Sequence, residues 1–172
     1  DTETLLASIE YLGIRKTLQS CKGMFAFALW DKELKELHLC RDRFGEKPLY
    51  WGVIDHVGIG FASEISSFNS IQSFSKRINK AAIHGYKFNG FISAPQSIYQ
   101  GLFQLLPGSI VTIKADSQGQ PPRYLPKPFL WWNSEKESSN AAETYLTNSH
   151  ANPVDLLNKL HGVLKEAVKI EA

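Results

Sequence analysis

The chain has 172 residues, of which 43% are hydrophobic and 12% aromatic, so its length and composition predict about one domain with a packed core. Nineteen basic and seventeen acidic residues give a net charge of +2, and the absence of a basic cluster interleaved with aromatic residues argues against nucleic-acid binding. No apolar run approaches the ~20 residues that cross a bilayer, and the opening residues lack a signal-peptide core, so we expect a cytoplasmic protein without a membrane partner.

The first quarter of the chain is predicted to form one helical segment followed by two strands. Leucine and isoleucine residues at helical spacing indicate a helix from about Thr2 to Gln19, with a break or early end at Gly13. Gly23–Asp31 alternates apolar residues on both faces, which predicts a central strand buried between two layers. A charged turn over 31–36 then leads into a second strand, from Leu37 to Asp42.

The rest of the chain alternates short strands, helices and turns. The expected elements are a strand pair at 49–54 and 59–63, a short helix from Glu64 to about Phe68, a helix from Asn79 to Phe91 that Asn79 caps and Gly90 ends, a loop over 94–101, a Pro107-Gly108 turn, and a strand at 109–114 near a sheet edge. Asn152-Pro153 begins a last helix whose apolar stripe requires a partner surface.

Two sets of residues could be read as functional, and a structural role is favoured for both. Cys21 and Cys40 are interpreted as structural cysteines, and no Cys-x-x-Cys or His-x-x-x-His pattern predicts a metal site. Arg41 and Arg43, which flank Asp42, could hold an anion, but we expect Arg41 or Asp42 to satisfy backbone groups of the turn at Gly45 or to form a buried pair.

Several short blocks carry a family resemblance. They occur in the order Gly23–Asp31, Arg41–Tyr50, Phe61–Glu64, Ser97–Gly101 and Leu105–Gly108. In order and spacing they resemble the glutaminase half of glutamine-hydrolysing asparagine synthetases, which are class II glutamine amidotransferases. The resemblance implies an α+β fold, as part of a four-layered α-β-β-α sandwich of the N-terminal-nucleophile hydrolases with mostly antiparallel sheets and with its N-terminal part missing.

The resemblance also implies a division of the chain. Residues 1–119 would form the C-terminal part of the glutaminase domain, and 120–152, which is rich in proline and then in polar residues, would be a linker. Residues 153–172 would be the first helix leading into a missing synthetase domain. The aromatic residues of 129–132 are expected to cover the core or a missing neighbour rather than to form a ligand platform.

For the site, the resemblance implies that Asp1 binds the α-ammonium group of substrate glutamine. Asp1 and Glu3 match a family segment that starts the first helix, and a cationic ammonium group in a partly dry pocket requires an ionised carboxylate. The alternative is that Asp1 is only a helix cap or a frayed terminal acid. The nucleophilic cysteine and the oxyanion-stabilising groups of the family would precede Asp1, so no catalytic residue is expected in this chain and the isolated chain is expected to be inactive.

The function implied is that of a glutamine-dependent asparagine synthetase. The parent protein would hydrolyse glutamine and pass ammonia to an aspartyl adenylate made with ATP and Mg²⁺, while the chain itself would hold no cofactor. Its partners would be glutamine, aspartate and ATP, and a homodimer is compatible with the resemblance. Two alternatives stay open: an amidotransferase that acts on another acceptor, such as a sugar acid of a polysaccharide, and a non-catalytic scaffold or interaction domain.

Overall fold

A computed structural model describes residues 1–55, 57–116, 122, 125–147 and 152–171. The helices are α1 (Thr2–Leu12), α2 (Ile14–Ser20), α3 (Lys80–Asn89), α4 (Ser134–Thr147) and α5 (Pro153–Glu171), with a 3₁₀ helix at Ile65–Ser70. The strands are β1 (Ala26–Asp31), β2 (Glu36–Arg41), β3 (Tyr50–Ile54), β4 (Gly58–Ala62), β5 (Leu102–Gln104), β6 (Ser109–Lys114) and β7 (Phe129–Leu130). This content confirms the predicted α+β class.

The strands form two sheets in which every described pairing is antiparallel. The first sheet has the order β1-β2-β6-β7, and the second has the order β4-β3-β5. The predicted hairpins 23–42 and 49–63 correspond to the pairs β1-β2 and β3-β4. The chain then returns through β5 and β6, which bring distant residues beside these hairpins.

The core consists of three apolar clusters, whose positions show the order of the helices and sheets. Between the two sheets lie Leu39, Leu49, Trp51, Leu105, Val111 and Ile113. On the other face of the first sheet, Leu18 of α2 packs with Cys40, Ile110 and Trp131. On the other face of the second sheet, Phe68 of the 3₁₀ helix packs with Ile54 and Leu102. The described core therefore has helix, sheet, sheet and helix in that order.

β1 was expected to be a central strand, but in the described part of the chain it is the edge strand of the first sheet. Both its faces contact apolar layers, since Phe27 packs with the α2 cluster and Ala26 with the cluster between the sheets. Trp30, however, is 49% exposed. Apolar residues on both faces of a strand indicate that both faces are covered, but they do not indicate how many strands pair with its edges.

Other elements differ from the sequence-based expectation in ways that have local causes. The single N-terminal helix is divided at Gly13, whose φ of 78° cannot continue a right-handed helix, as the predicted break indicated. β5 was not predicted, because three residues are too few to show alternation. β6 was expected near an edge; it is the third of four strands, and β7 pairs only with Ser109 and Ile110.

The range 120–152, predicted as a linker, contains regular structure where it is described. β7 extends the first sheet, Trp131 is buried against it, and α4 follows. The division into domain, linker and helix stays a prediction. α5 begins at Pro153 as expected, and five residues of its apolar stripe are exposed: Leu157, Leu160, Val163, Leu164 and Val168.

Gly52 is closely approached by the backbone of Gly101, and its replacement gives a direct test of the second sheet. A Cβ at Gly52 would lie 2.2 Å from the carbonyl oxygen of Gly101, which the β3-β5 pairing holds in place. Gly52→Ala is expected to lower the free energy of unfolding by about 3 kcal/mol.

Gly85→Ala is the matched control in α3, because no atom lies within 4 Å of the added Cβ. It is expected to raise the free energy of unfolding by about 0.5–1 kcal/mol through helix propensity. Urea denaturation of both variants measures the two changes. Equal stability of the two variants would contradict the close packing described for β3.

Candidate active site

Asp42 is a buried carboxylate that organises the turn after β2. Its side chain is 1% exposed. Oδ1 accepts hydrogen bonds from the backbone N–H groups of Phe44 (3.1 Å) and Glu46 (3.0 Å), and Oδ2 accepts one from Lys47 (3.0 Å). The backbone carbonyl of Asp42 accepts a further bond from Gly108 at 2.7 Å. In this turn, three backbone N–H groups thus donate to the Asp42 side chain rather than to a neighbouring strand.

Arg41 complements Asp42 by donating to carbonyl groups. Its guanidinium group donates to the carbonyls of Lys47 (2.8 Å), Leu105 (2.6 Å) and Gly45 (2.6 Å). Burial lowers the pKa of Arg41, and the nearby Asp42 carboxylate opposes that shift. These contacts make the pair structural, as predicted, because Arg41 is used to hold the turn to the segment before β6 rather than to hold an anion.

Neither cysteine has the properties of an activated nucleophile. Burial raises the pKa of the Cys40 thiol far above its usual range, and proximity to Cys21 raises it further. Burial also raises the pKa of Cys21, while the positive charge of Arg43 partly opposes the shift. An attacking cysteine requires the opposite, a lowered pKa. Both thiols are free, in agreement with the structural interpretation.

Two further observations concern the described residues. No group of three or more His, Cys, Asp or Glu side chains is placed to hold a metal ion, and no described helix combines the length and apolar character needed to cross a membrane.

Glu64 accepts a hydrogen bond from the Ser66 hydroxyl at 2.9 Å at the start of the 3₁₀ helix. This local bond fits a role in orienting neighbouring structure.

Asp1 lies at the N-terminus of α1 and lines a groove between α1 and α2. The groove has a volume of about 380 Å³ and is lined by Asp1, Thr4, Leu5, Ser8, Leu12, Thr17, Ser20 and Cys21. Asp1 provides the only carboxylate in that lining. The groove can therefore take a small molecule that carries a positive charge at one end.

The two oxygens of the Asp1 carboxylate differ in their hydrogen bonds. Oδ1 accepts from the backbone N–H of Thr2 at 2.6 Å and thereby caps α1. Within the described part of the chain, Oδ2 accepts no hydrogen bond, and Asp1 is exposed. Because the positive end of the helix dipole disfavours a cation, the carboxylate charge is what makes this helix end acceptable to an ammonium group.

The other groove residues were not predicted from the sequence. Thr17 was predicted near the end of one long helix, and Ser20 and Cys21 lay beyond that helix, whereas the structure turns α2 back beside α1. The break at Gly13 is the one signal of this turn, because a residue with positive φ redirects the chain between two helices. Asp1 itself was identified by resemblance, and its role as a ligand for glutamine stays a prediction.

Comparison with known proteins assigns the chain to one class of domain. Residues 1–125 match the family described as "Glutamine amidotransferase domain", which is most of the chain. The chain belongs to this family of glutamine amidotransferase domains, and its α+β architecture with antiparallel sheets is consistent with that membership.

Three similar curated proteins are all named as asparagine synthetases. The chain is 34% identical over 119 residues to a protein of Mycobacterium tuberculosis named putative asparagine synthetase [glutamine-hydrolyzing], covering 67% of the chain and 18% of that relative. It is 35% identical over 116 residues to asparagine synthetase [glutamine-hydrolyzing] 1 of Bacillus subtilis, with the same coverage of 67% and 18%. It is 35% identical over 109 residues to putative asparagine synthetase [glutamine-hydrolyzing] 2 of Methanocaldococcus jannaschii, covering 61% and 20%. The chain thus spans about a fifth of the length of these relatives.

Proposed function

We propose that this chain belongs to a longer glutamine-dependent asparagine synthetase and forms part of its glutaminase domain. The observation that carries the proposal is the match of residues 1–125 to the glutamine amidotransferase domain, together with 34–35% identity to proteins named as glutamine-hydrolysing asparagine synthetases. In the proposed reaction, water cleaves the side-chain amide of glutamine to give glutamate and ammonia. The ammonia then displaces AMP from an aspartyl adenylate formed with ATP and Mg²⁺.

The contribution of this chain to that reaction is substrate binding. Asp1 Oδ2 would accept a hydrogen bond from the glutamine α-ammonium group in the groove between α1 and α2. Since Cys21 and Cys40 have raised pKa values, the nucleophile would come from outside this chain. The sites for ATP, Mg²⁺ and aspartate would likewise lie in the rest of the protein. The role of this chain would then be to orient the substrate rather than to attack it.

Transfer of the amide nitrogen distinguishes the acceptors. The full-length protein would be incubated with glutamine labelled with ¹⁵N at its amide, ATP, Mg²⁺ and aspartate, and the products would be analysed by mass spectrometry. We expect ¹⁵N in the side-chain amide of asparagine, with one glutamate formed for each asparagine. Omission of ATP should abolish labelled asparagine.

The other outcomes decide against the proposal in different ways. Release of labelled ammonia without asparagine, in the presence of every substrate, would show a glutaminase that serves another acceptor. Absence of both products would favour the non-catalytic scaffold, which the raised pKa values of the two cysteines also permit. Exposure of the apolar stripe of α5 would then indicate an interaction surface.

A further inference from the structure

We propose that Arg43 is a positioning residue for glutamine binding, because it fixes the wall of the groove that faces Asp1. The inference rests on the proposed function and deepens it. Arg43 lies in the turn after β2, and its guanidinium group reaches across to the C-terminal end of α2. The side chain therefore links the first sheet to the helix that forms one side of the groove.

Arg43 makes two hydrogen bonds to the C-terminal end of α2 and one contact with the neighbouring Trp131 ring. Nη1 donates to the carbonyl of Cys21, Nη2 donates to the carbonyl of Gln19 at 2.8 Å, and the guanidinium carbon lies 5.2 Å from the ring centroid of Trp131. These carbonyl groups lie at the negative end of the helix dipole, where a cation is favoured. Trp131 in turn packs with Leu18 of α2.

The position of α1 depends on α2. Among the described elements, α1 packs chiefly against α2, and no residue of α1 is buried. α2 buries Thr17 and Leu18. Asp1, at the far end of α1, therefore has its place relative to the sheets set through α2, and a shift of α2 would move the Asp1 carboxylate with it.

Leu18 and Arg43 anchor α2 to the rest of the protein in different ways, in addition to the contact of Arg15 with the Phe129 ring. Leu18 is fully buried and supplies the apolar anchor. Arg43 supplies the polar anchor at the end of the helix, next to Ser20 and Cys21, which line the groove. Removal of Arg43 leaves Leu18 in place, so the fold should persist while the end of α2 becomes free to move. A substrate that is held by Asp1 would then bind less well.

Arg43→Gln in the full-length protein tests this inference through kinetics. We expect the KM for glutamine to rise about 3- to 10-fold with kcat changed less than about twofold, because the substitution removes no reacting group. Arg43→Lys, which keeps the charge and can donate to one carbonyl at a time, should give an intermediate KM and covers the case in which Arg43→Gln fails to fold. Arg77→Gln, at an exposed arginine before α3, is the matched control and should leave KM unchanged.

Amide hydrogen exchange gives a readout that does not depend on activity. In Arg43→Gln, the amides of 17–21 should exchange faster than in the wild type, while those of β2 and β6 stay protected. Faster exchange with an unchanged KM would overturn the positioning role, and so would a fall in kcat as large as the rise in KM. A wild-type protein that hydrolyses no glutamine would instead contradict the proposed function, and the positioning role with it.

Discussion

Asp1→Asn is expected to raise the KM for glutamine of the full-length protein by about 10- to 100-fold, with a smaller effect on kcat. A hydrogen bond between two charged groups contributes about 1.5–3 kcal/mol, and each 1.4 kcal/mol corresponds to a factor of about ten in affinity. Asn removes the charge while keeping the shape, so the ammonium group would meet the positive end of the α1 dipole without a counter-charge. Steady-state measurement of glutamate release as a function of glutamine concentration gives both constants.

The substitution separates binding from folding. Asn caps a helix about as well as Asp, so the thermal stability of Asp1→Asn should match that of the wild type. Asp155→Asn makes the same change in the first turn of α5 and should leave the KM unchanged. An equal KM in Asp1→Asn and the wild type would show that Asp1 is only a helix cap.

Asp42→Ala is expected to lower the free energy of unfolding by roughly 3–5 kcal/mol, the largest stability effect foreseen for this chain. The substitution leaves three backbone N–H groups, of Phe44, Glu46 and Lys47, without their acceptor, at a site where the carboxylate is 1% exposed. Buried polar groups that lose a charged partner incur costs of this size. Urea denaturation followed by tryptophan fluorescence measures the loss.

Two further variants make the Asp42 prediction specific. Asp42→Asn keeps an oxygen for Phe44 and Glu46 but presents an amide to the N–H of Lys47, so its cost should fall between wild type and Ala. Asp31→Ala also removes a carboxylate that accepts two turn N–H groups, but those bonds are exposed, and about 1 kcal/mol is expected. Equal costs for Asp31→Ala and Asp42→Ala would contradict the organising role of Asp42.

The sequence predicted those structural features that are determined by residues close together in the chain. Asn79 caps α3 through a hydrogen bond to the N–H of Ala82, and Gly90 ends the helix in the left-handed conformation. The turn at Gly45 was also expected, and Gly45 has a positive φ of 69°, which glycine adopts readily. Such features depend on the local backbone conformation, and a short stretch of sequence is enough to predict them.

Elements whose cause lies far along the chain were not predicted. β5 exists because Leu102–Gln104 pairs with β3, some fifty residues earlier, and its own three residues carry no alternating pattern. The edge position of β1 depends on which strands pair with the sheet, and the apolar pattern of β1 contains no information about that. β7 pairs through two residues only and was assigned to a linker. Tertiary pairing decides these cases.

One part of the candidate site could likewise be predicted from the sequence, and another part could not. Asp1 could be proposed from the family resemblance, and the general chemistry of ammonium binding explains why an acid is required there. The groove beside it could not be predicted, because it depends on the reversal of the chain at Gly13 and on the docking of Leu18 into the first sheet. The contacts of Arg43 with α2 join residues more than twenty positions apart and also required the structure.

The most direct test of the account is the structure of the full-length protein with glutamine bound. We predict that the glutamine α-ammonium nitrogen lies in the groove between α1 and α2, at about 2.7–3.2 Å from a carboxylate oxygen of Asp1. Glutamine bound elsewhere, or bound in this groove with its α-ammonium directed away from Asp1, would contradict the assignment of the site.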